Sequence, residues 1–95
     1  LLKYKGAELD LAKAIVSFGG KTAELSKNEM KMLHLLIRRQ GEIVPRADII
    51  EYLWDNQVFM DDDSLSVNMT RLRNKLNDIG ACGFIETKRG MGYRI

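Results

Sequence analysis

Hydrophobic positions along the chain change their spacing, and each spacing predicts a different kind of element. Apolar and polar residues alternate over residues 8–12, as in a half-buried strand, and residues 14–18 are β-branched and apolar. Gly19 and Gly20 supply the positive φ angles of a two-residue hairpin turn, and residues 21–25 are the returning strand. Residues 1–25 are therefore predicted to form a small antiparallel sheet of three or four strands.

In residues 26–80 the apolar residues are three or four positions apart, which predicts helices. Ser26 and Glu29 match a capping box, in which each side chain covers a free backbone N–H, and Gly41 ends this first helix. Its main apolar stripe consists of Met30, Leu33, Leu36 and Ile37. A second helix is expected from about Arg46 to Trp54, with Pro45 tolerated at its start because the first N–H groups have no helical partner. Its predicted apolar face consists of Ile49, Ile50, Leu53 and Trp54.

The third helix is expected to begin near Ser64, with Asp63 or Ser64 as its cap, and to end at Gly80. Its buried stripe steps by four and three residues through Leu65, Met69, Leu72, Leu76 and Ile79. The preceding loop, residues 55–63, is longer than most connections between helices, and long loops are often functional.

Two short strands are predicted at the end of the chain, at residues 84–87 and 93–95. A basic, glycine-containing tip at residues 88–92 joins them. Three helices followed by such a hairpin give an α+β fold, the winged helix-turn-helix, in which the hairpin is the wing. At 95 residues the chain is expected to be a single domain, with the sheet at 1–25, the helical core at 26–80 and the wing at 84–95.

Charge is unevenly distributed, although the net charge is only +2. Residues 48–63 contain six carboxylates and no Lys or Arg, whereas the segments on either side are net basic. This pattern fits two partner surfaces of opposite preference. It fits equally well charges scattered over solvated faces, so their placement in the fold must decide.

Several functional classes are not expected from this composition. No apolar run approaches the about 20 residues of a membrane span, and the first residues do not resemble a signal peptide. A single cysteine, Cys82, forms no internal disulfide and suits a reducing cytoplasm. With one histidine and one cysteine, neither a zinc site nor a catalytic constellation can be assembled, so we expect no enzyme, cofactor, metal or small-molecule substrate.

The face of the third helix opposite its buried stripe has the chemistry needed to recognise DNA bases. Arg71 can pair with guanine, Asn68 with adenine, and the apolar Val67 can contact a thymine methyl group. Other polar side chains can reach phosphate oxygens, namely Ser64, Thr70, Arg73 and Lys75. A solvated amphipathic helix would show a similar pattern, so the helix alone leaves both interpretations open.

The hairpin tip favours the DNA interpretation. Lys88 and Arg89 lie together on a tight loop, where a cation can enter the electronegative minor groove. A solubilising turn is the alternative for the tip considered alone. A polar helix followed by a basic tip at this distance is much less expected by chance.

Several segments, taken together, resemble the OmpR/PhoB-type effector domain of two-component response regulators, over nearly the whole chain. They are Leu25-Ser-Lys-Asn-Glu29, Val44-Pro-Arg46, Leu53-Trp54, Val67-Asn-Met-Thr-Arg-Leu-Arg-Asn-Lys-Leu76 and Ile85-Glu-Thr-Lys-Arg-Gly-Met-Gly-Tyr-Arg-Ile95. The resemblance implies a four-stranded N-terminal sheet, with the third helix in the major groove.

The resemblance also implies roles for individual residues. It places Val67, Asn68 and Arg71 at base-facing positions and Arg89 in the minor groove. Backbone-contacting positions are Trp54, Ser64, Arg73, Thr87 and Tyr93, to which the basic tip adds Lys88. The loop at residues 55–63 matches the one that such proteins use to contact RNA polymerase, with Asp55, Asn56, Asp61 and Asp62 as candidates.

Partners follow from the same resemblance. A receiver domain with a phosphorylatable Asp is expected to precede Leu1, with a sensor histidine kinase as its partner. Two copies are expected to bind direct-repeat half-sites of double-stranded DNA. The segment Leu65-Ser-Val-Asn68 is similar to that of regulators responding to cell-envelope or antimicrobial-peptide stress. The alternative function is a protein-interaction module, because winged helices also bind proteins.

The sequence departs from the family pattern at a few positions. Asp63 stands where an Arg often contacts phosphate, and Pro45 replaces a usual Ser cap. Ser66, Asn68 and Thr70 also differ from the commonest residues, which predicts an unusual DNA sequence preference.

Overall fold

The computed structural model describes all residues from 1 to 95. Its N-terminal sheet contains four antiparallel strands in the order β1-β2-β3-β4, at the upper end of the predicted number. The strands are β1 (Leu2–Tyr4), β2 (Ala7–Asp10), β3 (Ile15–Phe18) and β4 (Lys21–Glu24). Strand β2 stops before the predicted residue 12 because the carboxylate of Asp10 accepts hydrogen bonds from the N–H groups of Ala12 and Lys13, which turn the chain.

Helix α1 (Lys27–Arg38) begins with the predicted capping box. The hydroxyl of Ser26 accepts from the N–H of Glu29 at 3.2 Å, and the carboxylate of Glu29 accepts from the N–H of Ser26 at 2.7 Å. Five apolar residues of the helix are buried, namely Met32, Leu33, Leu35, Leu36 and Ile37. Met30, predicted in the main stripe, is only half-buried at the edge of the core.

Helix α2 (Arg46–Asp55) is close to its predicted bounds, and Pro45 is its N-cap. Its apolar face is narrower than predicted, since Ile49 and Leu53 are buried but Trp54 is 52% exposed. Adjacent helix positions are about 100° apart, so the burial of Leu53 turns Trp54 outward.

Helix α3 (Asp62–Asp78) begins earlier than predicted, with Asp61 as its N-cap. The carboxylate of Asp61 accepts from the N–H of Ser64 at 2.8 Å, so neither Asp63 nor Ser64 is the cap. The loop between the helices is correspondingly shorter, and Val58 and Met60 are buried within it. The predicted apolar stripe of α3 is buried along its whole length, from Leu65 to Ile79.

The C-terminal hairpin consists of β5 (Glu86–Lys88) and β6 (Gly92–Arg94), and we call it the wing. Lys88 pairs with Gly92, so both belong to the strands and only residues 89–91 form the tip. Tyr93 exchanges two backbone hydrogen bonds with Val44, at 2.7 and 3.0 Å. The wing is therefore fastened to the start of α2, and the predicted winged helix-turn-helix fold is confirmed.

Candidate nucleic-acid interface

The outer face of α3 carries the side chains Val67, Thr70, Arg71 and Asn74, all exposed. Val67 is 49% exposed, so an apolar surface is available on this face. None of the chain's seven ion pairs includes Arg71 or the tip residue Arg89. Both guanidinium groups are therefore available to an external acceptor.

Two polar side chains predicted to contact DNA each make one bond to the backbone of their own helix. The amide nitrogen of Asn68 donates to the carbonyl of Ser64 at 2.9 Å, and the hydroxyl of Thr70 donates to the carbonyl of Ser66 at 3.0 Å. These contacts are the usual one-turn bonds of short polar side chains in helices. The bond leaves Asn68 with its amide oxygen, an acceptor, and with one free N–H donor.

A direct side-chain contact joins α3 to the wing. The guanidinium of Arg73 donates to the hydroxyl of Thr87 on β5 at 2.7 Å. Two residues that the sequence assigned to phosphate contact thus touch each other, and they bring the middle of α3 beside the wing. The Nε atom of Arg73 is buried and has no partner within the chain.

The two basic residues near the tip differ in their surroundings. Lys88 is half-buried and lies 3.0 Å from Glu86, whose carboxylate is also bonded to Arg94. Hydrogen bonds from Lys88 and Arg94, with their positive charges, lower the pKa of Glu86. Lys88 is thus partly neutralised within the wing, whereas Arg89 remains exposed at the tip.

Lys75 has an ionic partner inside the chain that its position on the helix did not predict. Its ammonium lies 2.6 Å from the carboxylate of Glu29, which is only 3% exposed. Helical position alone placed Lys75 beside the outer face, but its long side chain reaches back to α1. The structure thus gives Lys75 an internal partner, and its contact with phosphate stays a prediction.

Sequence reasoning missed Arg46, at the start of α2. Its guanidinium donates to the carboxylate and the carbonyl of Asp62 at 3.2 and 2.7 Å and to the hydroxyl of Ser66 at 2.9 Å. It also donates to the hydroxyl of Tyr93 at 2.7 Å. A cation at a helix N-terminus faces an unfavourable dipole, and this was the available sign of a specific partner.

The acidic segment, residues 48–63, covers most of α2, the following loop and the start of α3. Asp61, Asp62 and Asp63 are exposed at the start of α3, and hydrogen bonds from the backbone and hydroxyl of Ser64 lower the pKa of Asp61. Asp48 pairs with Arg39 at 3.0 Å, and Asp62 with Arg46. The carboxylates are therefore gathered at α2 and the first turn of α3, although two of them are neutralised by arginines.

An exposed aromatic pair borders this acidic region. The rings of Trp54 and Phe59 meet edge to face with centroids 5.0 Å apart, and Phe59 is 64% exposed. The indole N–H of Trp54 donates to the carbonyl of Met60 at 3.2 Å, so its only donor is already engaged. The nearby Asn56 turns inward, bonding to Tyr52 and Lys31.

Comparison with known proteins identifies the family. Residues 20–95 match the family described as "Transcriptional regulatory protein, C terminal", and the chain belongs to this family of transcription regulators. It is 46% identical over 92 residues to the response regulator protein GraR of Staphylococcus aureus (strain MRSA252), and equally to GraR of Staphylococcus haemolyticus. The matches cover 97% of this chain but 41% of each relative, so the chain spans less than half the length of these relatives.

Solved structures agree with this assignment. The C-terminal domain of the nisin resistance regulator NsrR, described as a lantibiotic response regulator, superposes with a TM-score of 0.91 at 37% identity, covering 99% of this chain and 95% of that one. The Klebsiella pneumoniae RstA DNA-binding domain, solved in complex with the RstA box, gives 0.80 at 30% identity, with 99% and 94% covered. These matches confirm the resemblance on which the expected fold was based.

None of the three helices has both the length and the apolar character that a membrane span requires.

Proposed function

We propose that this chain binds double-stranded DNA in a sequence-specific manner and regulates transcription. The tie between Arg73 and Thr87 carries this proposal, because it keeps the outer face of α3 and the wing on one side of the molecule. One duplex can then meet Arg71 in its major groove and Arg89 in its minor groove. The likeness to a domain solved on its DNA box supports the same function.

Base recognition is assigned to Val67, Asn68 and Arg71. Arg71 offers two donors to guanine, Val67 offers an apolar surface to a thymine methyl group, and Asn68 offers its amide oxygen. Phosphate contacts are assigned to the surrounding polar groups, namely Ser64, Thr70, Arg73, Thr87, Lys88 and Tyr93. Trp54 contributes at most its ring, because its N–H is engaged with Met60.

Selection from random duplexes, followed by affinity measurements on the selected site, tests this function. Arg71→Ala is expected to cost about 1–3 kcal/mol and to relax the preference at one base pair. Arg89→Ala is expected to weaken binding more evenly across sequences. Wild-type binding that is independent of salt concentration, or variants that bind like the wild type, would contradict the proposal, because phosphate neutralisation makes affinity fall steeply with salt.

A second copy is proposed to bind beside the first. A single module of this size covers only about 600–1,000 Å² on DNA, so two copies on direct repeats about one helical turn apart are expected to bind stably. Duplexes with one or two half-sites, compared at equal protein concentration, test this arrangement.

The longer protein is proposed to be a phosphorylation-controlled response regulator acting in the cytoplasm. The relatives named response regulators support this, since the chain matches 41% of their length and leaves room for a receiver domain addressed by a sensor histidine kinase. The likeness to a lantibiotic response regulator favours antimicrobial-peptide or cell-envelope stress as the signal.

RNA polymerase is the proposed partner of the acidic region. Its exposed carboxylates Asp55 and Asp61 would be repelled by DNA, and Phe59 adds an exposed aromatic surface beside them. Phe59→Ala is expected to leave DNA affinity unchanged and to lower activated transcription in vitro. The same aromatic pair favours the alternative function, a protein-interaction module, which would instead show no gain in DNA affinity at low salt.

A further inference from the structure

We propose that Arg46 is a positioning residue that fixes the tilt of α3 relative to the wing, so that both can engage one duplex. This inference rests on the proposed DNA-binding function. Arg46 belongs to neither element. It lies at the start of α2, yet its guanidinium bonds to the first turns of α3 through Asp62 and Ser66 and to β6 through Tyr93.

The three nitrogen atoms of Arg46 all donate within the chain, at 2.7 to 3.2 Å. Its side chain is 35% exposed, and the guanidinium carbon lies 5.8 Å from the centre of the Tyr93 ring. A group so fully engaged has little capacity left for a phosphate. Its planar fork also reaches acceptors on two elements at once, which the single ammonium of a lysine cannot do.

The backbone around Arg46 shows how closely the wing is held there. Val44, two residues earlier, exchanges both of its backbone hydrogen bonds with Tyr93. Gly92 packs so tightly that a Cβ atom would overlap the carbonyl oxygen of Val44. The backbone next to Arg46 is therefore rigidly joined to the wing. A bond from the Arg46 side chain to α3 thus connects α3 to the wing.

A second contact between α3 and the wing shows what the contacts of Arg46 add. Arg73 bonds to Thr87 seven residues beyond Ser66, about 10 Å farther along α3 at 1.5 Å per residue. The buried stripe of α3 and the Lys75–Glu29 pair hold this helix in the core, so the wing is the element whose angle can change. One tie to α3 would leave the wing free to pivot about it, whereas two ties along the helix fix this angle. Without Arg46 we expect the wing to pivot at Thr87, so that Arg71 and Arg89 no longer fit one duplex together.

A double-mutant cycle on DNA affinity tests the inference. Arg89→Ala is measured in the wild type and in Arg46→Met, using the selected duplex. Residues that act as a unit show coupling of about 2-fold to about 100-fold, so we expect the affinity loss caused by Arg89→Ala to shrink to about a third or less in the Arg46→Met background. The loss caused by Arg71→Ala should persist there. Equal losses from Arg89→Ala in both backgrounds would overturn the inference, and Arg46 would then be an independent contact.

Three further variants separate positioning from folding or charge. Tyr93→Phe removes the hydroxyl that Arg46 reaches, which is also a proposed phosphate contact. The cycle compares the losses caused by Arg89→Ala within each background, so this variant should reproduce the loss of coupling with no change in charge, whatever affinity the hydroxyl itself adds. Arg46→Lys should not restore the coupling. Arg39→Met is the matched control, because Arg39 is 34% exposed and, like Arg46, pairs with a carboxylate, but its partner Asp48 lies on α2 and it has no bond to α3 or the wing. Full coupling in Tyr93→Phe would contradict the inference.

A measurement without DNA keeps this inference distinguishable from the proposed function. Residual dipolar couplings report the orientation of α3 and the wing in the free protein. We expect one alignment tensor to fit both elements in the wild type and in Arg39→Met, but not in Arg46→Met. This result together with absent DNA binding would refute the function alone, whereas a single tensor in Arg46→Met would refute the positioning role.

Discussion

The ammonium of Lys75 lies 2.6 Å from the carboxylate of Glu29, and this pair joins α3 to the start of α1. Glu29 is the only charged residue among the buried ones, at 3% exposure. The same carboxylate oxygen accepts from the N–H of Ser26 in the capping box. One buried group thus both starts α1 and holds the helix that is proposed to recognise DNA.

The first prediction concerns the stability of this pair. Lys75→Met is expected to lower the free energy of unfolding by about 3 kcal/mol, since it leaves a buried carboxylate without its cation. This is the low end of the usual range, because Lys75 is 37% exposed. The double variant Lys75→Met with Glu29→Gln should recover part of the loss. Urea unfolding measures both, with Arg71→Met on the exposed face of α3 as control. Equal stability of Lys75→Met and the control would show that the pair contributes nothing.

The second prediction separates the internal role of Lys75 from the phosphate contact that helical position suggested. An internal Lys75 predicts that Lys75→Met leaves the slope of log affinity against log salt unchanged at temperatures where the variant is folded. A phosphate contact would lower this slope by about one. Arg73→Met, measured alongside, serves as the comparison, because Arg73 remains in the proposed phosphate-contacting set.

The third prediction is the pH dependence of stability. Burial alone would raise the pKa of Glu29, but the hydrogen bonds from Lys75 and Ser26 and the charge of Lys75 outweigh it and lower the pKa below its ordinary value of 4.5. A carboxylate with a lowered pKa contributes stability that is present above the unfolded pKa and lost as pH falls through the folded one. The stability difference between wild type and Glu29→Gln should therefore shrink as pH falls below about 4.5. A difference that grows on acidification would contradict the assigned direction. Asp61 and Glu86 also have lowered pKa values, but they are common to both proteins and cancel.

Features set by local spacing could be predicted from the sequence. The capping box at Ser26 and the buried stripe of α3 follow from residues three or four positions apart, which a helix brings together whatever the rest of the fold does. The same reasoning located the exposed Val67 and Arg71. These are the parts of the candidate site that depend on one helix alone.

Features set by contacts distant in sequence could not be predicted. Each of the three consecutive aspartates, residues 61–63, could cap α3. In the structure the cap is Asp61, which directly follows a loop in which Val58 and Met60 are buried. The partner of Lys75 lies 46 positions earlier in the chain, and Tyr93 lies 47 positions after Arg46. Long cationic side chains reach several neighbours, so helical position alone does not determine their partners.

The fourth prediction concerns Gly92, where the wing meets α2. Its φ of +147° and the closeness of Val44 leave no room for a side chain, so Gly92→Ala must push β6 away. We expect a loss of about 3 kcal/mol or more in unfolding free energy, in the range of strained and overpacked variants. Gly90→Ala is the matched control, because Gly90 also has a positive φ, +73°, but nothing lies within 4 Å of its Cβ position. Its expected cost is only about 1 kcal/mol. Similar losses for the two variants would show that Gly92 is constrained only by its backbone angle.

The fifth prediction concerns how Asn68 recognises a base. One of its two amide N–H groups donates to the carbonyl of Ser64 at 2.9 Å, so the amide oxygen and the second N–H are left for DNA. The oxygen can accept from adenine N6 or cytosine N4, and the second N–H can add a bond to N7 at adenine. Selection with the wild type should therefore show adenine preferred over cytosine, and both preferred over guanine and thymine, at one position of the site. Asn68→Ala should remove this preference, at a cost of about 1–3 kcal/mol for the preferred duplex. Thr70→Ala, which removes a neighbouring hydroxyl bonded in the same way to its own helix, should leave every base preference unchanged. A preference for guanine or thymine at that position would contradict this assignment, because neither base offers a major-groove donor to the amide oxygen.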